Sequence, residues 1–106
     1  MGEIEFDWDP RKSNSNQAKH GVSFDEATSA FEDESALLIA DPAHSDDEDR
    51  FVLLGLSARA RLLVVVHCYR ESDSIIRIIS ARRATRHARS IHGRSGLSLR
   101  PRFLSS

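Results

Sequence analysis

Two kinds of side chain in this sequence could do chemistry together: histidines that carry a proton near neutral pH, and arginines that grip phosphate. Lys19-His20-Gly21 is the first group. Its context predicts the end of a helix, where exposed carbonyls favour a cation. A histidine there can be charged near neutrality and can move protons. The same three residues also suit a plain helix C-cap. His67 falls in the middle of an apolar run, Leu62-Leu63-Val64-Val65-Val66-His67. A histidine in that setting is more often a packed, hydrogen-bonded residue than a proton carrier. Arg77 stands alone inside Ser-Ile-Ile-Arg-Ile-Ile-Ser. It must reach the surface or be paired. On a sheet face it is placed to hold a phosphate; the alternative is a salt bridge to the acidic first half of the chain. Arg82, Arg83, Arg86 and Arg89 follow as a basic patch. On a helix 82, 86 and 89 would share one face, which suits polyanion contact.

Other chemistries are poorly served. The acidic run Asp46-Asp47-Glu48-Asp49 lacks the spacing of a calcium loop. Cys68 is the one cysteine, which excludes an internal disulfide and CxxC zinc spacing. There is no nucleophile elbow, phosphate-cradling glycine loop or HExxH. No metal or cofactor is expected.

The net charge of −1 hides a strong asymmetry. Residues 1–50 carry 14 acidic and 4 basic side chains, whereas residues 51–106 carry 2 acidic and 11 basic ones. All 11 are arginine. Solubility alone would be served as well by lysine, while arginine's planar fork grips phosphate in two places. The second half therefore reads as a phosphate-binding surface. Mutual neutralisation of the two halves is the alternative.

The elements that must position these residues follow from periodicity. Glu3 to Trp8 alternates acidic and apolar residues, a half-buried strand with Ile4, Phe6 and Trp8 facing inward. Asp9-Pro10 opens a helix and Gly21 closes it after His20. This helix is polar throughout, so its residues are expected to serve contact more than packing. Ser23 and Glu26 form a capping box for a second helix, with Phe24, Ala27 and Phe31 as its apolar stripe. Ala36 to Ala40 is a short strand, and Asp41 to Asp49 an acidic loop. Phe51 to Leu56, Arg61 to Tyr69 and Ser74 to Ala81 read as strands. Their short links imply antiparallel neighbours. The β-branched run in them suits a sheet covered on both faces. Arg82 to Ile91 can be helical.

The fold class expected is thus α+β: an antiparallel β-sheet meander with two N-terminal helices and a short C-terminal helix. Size and pattern give a single domain over residues 1–92. Residues 93–106 form a basic tail expected to be disordered. No apolar run reaches the roughly 18 residues of a membrane span, and the first residues lack the basic and apolar segments of a signal peptide. A cytoplasmic protein with no membrane partner is expected.

Two ordered sets of residues carry a family resemblance. The first is Phe6-Asp7-Trp8-Asp9-Pro10, Lys12, Asn16, Lys19-His20-Gly21-Val22-Ser23-Phe24, Glu26-Ala27 and Phe31. The second is Arg50-Phe51, Gly55-Leu56-Ser57, Leu62 to His67 and Arg77-Ile78-Ile79-Ser80-Ala81-Arg82-Arg83-Ala84-Thr85. Over about residues 4–89 the chain resembles the BrnT family, the toxins of type II toxin–antitoxin pairs. The resemblance implies a RelE-like fold and metal-independent ribonuclease activity. It also implies a cognate BrnA-like antitoxin with a ribbon-helix-helix DNA-binding domain. Operator DNA would then be bound only through the toxin–antitoxin complex. The end of the chain departs from the family pattern: Ala88 and His92 stand where the family carries Glu and Tyr.

Metal-free RNA cleavage needs a base for the 2′-hydroxyl proton, cations for the charge gathering on phosphorus, and an acid for the leaving oxygen. Arg77 and Arg82 are the candidates for the phosphate charge, with Arg50 a third. His20 or His67 is the candidate proton carrier, and Lys19 a backbone contact. Arg83, Arg86 and Arg89 extend the RNA-binding surface. The same arginines would equally serve a non-catalytic nucleic-acid- or protein-binding module, or a decayed toxin.

Overall fold

The computed structural model describes residues 4–40, 50–70 and 74–92. Acidic–apolar alternation builds the first strand, β1 (Glu5–Asp7), and Ile4, Phe6 and Trp8 pack against the core. The first helix, α1 (Pro10–His20), is capped by Asp9, whose carboxylate accepts from Arg11 N at 2.9 Å. Gly21 ends it at φ 73°, a left-handed conformation that a side chain would strain. The second helix, α2 (Phe24–Ser29), is opened by Ser23, whose hydroxyl accepts from Glu26 N at 3.0 Å. It runs into a 3-10 turn, Ala30–Glu32. Strands β2 (Leu37–Ala40), β3 (Arg50–Leu56), β4 (Leu62–Arg70) and β5 (Ile75–Arg83) follow, then a short helix, α3 (Arg86–Ile91).

β2 to β5 form an antiparallel meander. The whole sheet is mixed, because β1 lies at its edge, parallel to β5, in the order β1-β5-β4-β3-β2. A parallel neighbour needs a long connection, and here the rest of the fold supplies it. The core gathers on one face: Phe24, Ala27 and Phe31 pack onto Leu53, Leu63, Val65, Ile76, Ile78 and Ala81. α1 and α2 both belong to that one face. On the other, Leu54, Leu62 and Cys68 are buried and Val64 and Val66 half-buried.

Two further expectations are corrected. The strand does not end at Ala81: Arg82 and Arg83 pair with Val64 and Leu63, and Ala84 N donates to Leu62 O at 2.9 Å. Arg82 therefore sits on the sheet and shares no helix face with Arg86 and Arg89. The ladder to β4 satisfies its backbone, which outweighs helical propensity. The polar helix α1 is also firmly anchored. The buried Asn16 amide donates to Val22 O at 2.8 Å and Ala81 O at 2.7 Å, and accepts from Ala81 N at 3.2 Å. Polar side chains replace the missing apolar face. Gly55 in β3 passes so close to the 3-10 turn that a Cβ there would lie 2.5 Å from Ala30 O.

Candidate functional site

Strand pairing decides which charged side chains share a face. Arg77 pairs with Cys68 and Arg82 with Val64, and these two β4 residues lie on the same face. Arg77 and Arg82 are an odd number of residues apart, so regular alternation would place them on opposite faces. A bulge resolves this: Val66 pairs with Ser80 and His67 with Ile78, leaving Ile79 without a partner. The extra residue switches the parity of β5. Arg50 joins the same face, because it pairs with Cys68 from the other side. Across the sheet the row reads Asp7, Arg77, Cys68, Arg50. Arg82 lies four residues further along β4, about 13 Å away at the usual strand rise.

Arg77 is not free within this row. It donates to the Asp7 carboxylate, the salt-bridge alternative that the sequence left open. The pair is partly exposed, with side chains 32 % and 48 % accessible.

His67 lies on the opposite face, with the core. It is completely buried, 4.8 Å from the Phe31 ring and 5.2 Å from Tyr69, and stacks on Phe51 at 6.2 Å. Its Nδ1 is 3.2 Å from Val65 O, and a carbonyl only accepts, so Nδ1 carries the proton. Nε2 then accepts from the Tyr69 hydroxyl at 3.2 Å. Desolvation pushes the ring down to about 4, only partly countered by the Val65 hydrogen bond. At neutral pH His67 is an uncharged packing residue, separated from Arg77 by the sheet itself.

The exposed basic residues meet at the far end of β5. Arg82 and Arg83 finish the strand on its two faces, and α3 follows with Arg86 and Arg89 exposed. Asn16 fastens α1 to Ala81, so Lys19 and His20, one turn further along α1, come to this same end. Arg61, just before β4, donates to Gly21 O at 2.9 Å and pins that turn in place. None of the ion pairs among the described residues takes up Lys19, Arg82, Arg83, Arg86 or Arg89. The structure thus brings His20 and Lys19 to the sheet end where Arg83 lies on their side, while Arg82 ends the strand on the opposite face, the one that carries Arg50 and Arg77 further along.

Sequence reasoning missed the residues that hold this end together. Glu26 is buried and accepts from Arg61 Nε at 2.9 Å, from a second Arg61 nitrogen and from Ser57 Oγ at 2.7 Å. The Arg61 hydrogen bond, above all, holds the Glu26 carboxyl below its usual range against the cost of burial. Arg59 is exposed in the adjoining turn. Asp33 accepts from Leu56 N at 2.7 Å, Ser35 N at 2.9 Å and His92 Nε2 at 2.7 Å. Burial raises its carboxyl, but these hydrogen bonds outweigh burial and leave it below the usual range. The capping box was the one local signal for Glu26; no local pattern marks Arg61 or His92 as its partners' neighbours.

No cluster of metal-ligating side chains occurs among the described residues, and no helix among them is long and apolar enough to cross a membrane. The acidic loop and residues 93–106 lie outside the described residues. Exposed arginines gathered at one sheet end are side chains of the kind that suit contact with a polyanion.

The comparisons with known proteins identify the family. The model of the family described as the ribonuclease toxin BrnT of type II toxin–antitoxin systems matches residues 8–87, and the chain belongs to this family. Its fold is similar to the crystal structure of the Brucella abortus ribonuclease toxin BrnT. The TM-score is 0.60 at 21 % identity, over 78 % of this chain and 99 % of the Brucella chain. No curated protein sequence matches the chain. A type II toxin works with an antitoxin partner, and a ribonuclease toxin has RNA as its substrate.

Proposed function

We propose that this chain is a metal-independent endoribonuclease toxin that cuts RNA by attack of the 2′-hydroxyl on the adjacent phosphorus, breaking the P–O5′ bond and releasing the 5′-oxygen as a hydroxyl protonated from solvent. The active site we assign is the arginine-lined end of β5. His20, solvent-exposed on the helix terminus, takes the 2′-hydroxyl proton. Arg83 and Lys19, on the same side of the sheet as His20, hold the phosphate and its developing charge. Arg86 and Arg89 guide the flanking backbone, and Arg82, Arg77 and Arg50 extend the track over the other face of the sheet. Arginine itself cannot serve as the base, because it stays protonated. His67 belongs to the core in this reading.

The observation that carries the proposal is the presence, at one sheet end, of exposed basic side chains that no carboxylate among the described residues occupies. The domain is RelE-like in this reading, acts in the cytoplasm, and is neutralised by a BrnA-like ribbon-helix-helix antitoxin. Operator DNA is met only through the complex.

The test is cleavage of end-labelled RNA in EDTA by wild type, His20→Asn and Arg83→Ala. Products should end in 2′,3′-cyclic phosphate. Removing one charge-stabilising donor costs about 3 kcal/mol, or roughly 10²-fold in rate. A comparable loss, on the order of 10²-fold, is expected for the acid–base group. Wild-type rates in both variants would overturn the site. RNA bound with steep salt dependence but left uncut would favour the non-catalytic module.

A further inference from the structure

We propose that His92 and Asp33 form a clasp that docks α3 across the end of the sheet, making His92 a positioning residue for the arginines α3 carries. This rests on the ribonuclease reading for its functional consequence, but the clasp itself does not.

The geometry is built from three anchored points. β5 ends beside β4, where Ala84 N bonds Leu62 O. β3 ends one strand further on, where Leu56 pairs with Leu62. Leu56 N is bonded at 2.7 Å to Asp33, which closes the 3-10 turn. From the end of β5 to Asp33 is thus two strand spacings, about 10 Å. A helix of the length of α3 covers about 9 Å. α3 therefore bridges the strand ends from β5 to β3, and His92 meets Asp33 where the bridge lands.

Asp33 is well suited to receive it. Its two oxygens already accept two backbone N–H groups, which fix the carboxylate in place. His92 Nε2 donates to the oxygen shared with Leu56 N, at 2.7 Å, in a site where both side chains are less than one-fifth exposed. A short bond to a preorganised carboxylate is among the stronger hydrogen bonds. α3 needs such an anchor. It is six residues long, and a helix of that length is not stable alone in water. Within it Arg89 N donates to Thr85 O at 2.9 Å, and Arg86 and Arg89 stand exposed. Releasing the far end would let α3 fray and scatter those two charges away from Arg82 and Arg83.

The experiment compares wild type, His92→Ala and His92→Gln. Amide hydrogen exchange reads α3, with the Arg89 amide as reporter. Binding and cleavage of a single-stranded RNA read the consequence, and thermal unfolding reads the core. In His92→Ala the Arg89 amide should exchange at least tenfold faster. RNA affinity should fall about fivefold, as a rise in KM with kcat little changed. The unfolding midpoint should barely move. His92→Gln, whose amide can still donate to Asp33, should recover most of both. Unchanged exchange in His92→Ala would overturn the clasp. Faster exchange with unaltered KM would overturn its positioning role. Wild-type protein that leaves RNA uncut would defeat the ribonuclease reading alone, since exchange still decides the clasp.

Discussion

At the scale of single residues, burial sorts groups of identical chemistry into different jobs. His20 and His67 have the same imidazole, but one ends an exposed helix and the other is enclosed by Phe31, Phe51 and Tyr69. Arg61 and Arg82 have the same guanidinium, but one is spent on Glu26 and Gly21 while the other finishes a strand with no ion pair among the described residues. His67 yields a signed prediction. Its folded value of about 4 lies below the 6.5 of a free histidine. Between these two values the unfolded chain binds a proton that the folded chain refuses. Stability therefore falls as pH drops through that window, by about 3 kcal/mol in all. Urea midpoints at pH 7 and pH 4 should show this loss in wild type. In His67→Phe, less stable at pH 7, that histidine's share of the slope should vanish; an unaltered slope would contradict the assignment.

Elements here are joined by polar side chains as much as by the core. α1 has little apolar surface, and Asn16 and Ser13 attach it instead: Asn16 to β5, and the Ser13 hydroxyl to Phe24 N at 3.1 Å. Asn16→Ala should leave the Ala81 N–H and C=O buried without their partner. Unsatisfied groups of that kind cost about 1–3 kcal/mol each, so a loss of roughly 3 kcal/mol is expected, measurable by chemical denaturation. Because Asn16 also sets where Lys19 and His20 stand, RNA cleavage should fall further than the unfolded fraction explains. The Arg61–Glu26 pair works at the same junction, tying the α1–α2 turn to the start of β4. Arg61→Met would leave the buried Glu26 carboxylate without its main partner, and the same assay should show a clear loss of stability.

For the molecule as a whole, charge is distributed by fold and not only by sequence half. Some second-half arginines are neutralised by first-half acids, as in Arg77–Asp7 and Arg61–Glu26. Among the described residues, Arg82, Arg83, Arg86 and Arg89 stand outside these pairs at the end of β5. Single-stranded RNA binding should therefore weaken linearly in log salt, with a slope near 0.7 per neutralised phosphate. Arg82→Ala with Arg83→Ala should reduce that slope by about 1.4 while leaving the unfolding midpoint within error, since both side chains are exposed. Titrations at several salt concentrations would check this. An unchanged slope would place the RNA elsewhere on the molecule.

Local signals in the sequence settled the local structure. Asp9-Pro10, Gly21 and Ser23-x-x-Glu26 mark helix ends through bonds that span a few residues, and α1 runs over Pro10–His20 as they dictate. Apolar runs, β-branched in β4 and β5, and short links likewise announced β3 to β5, and the run Ala36 to Ala40 announced β2. Family membership was legible too, because it rests on the ordered set of motifs. Tertiary structure alone decided the rest. The parallel seat of β1, the extension of β5 through Arg83 and the bulge at Ile79 depend on pairing with distant strands. That bulge put Arg77 and Arg82 on one face. Distant pairing also buried His67 and joined Asn16 to Ala81, Arg61 to Glu26 and His92 to Asp33. A side chain's face is set by register, and register is a property of two strands at once, so no single stretch of sequence contains it.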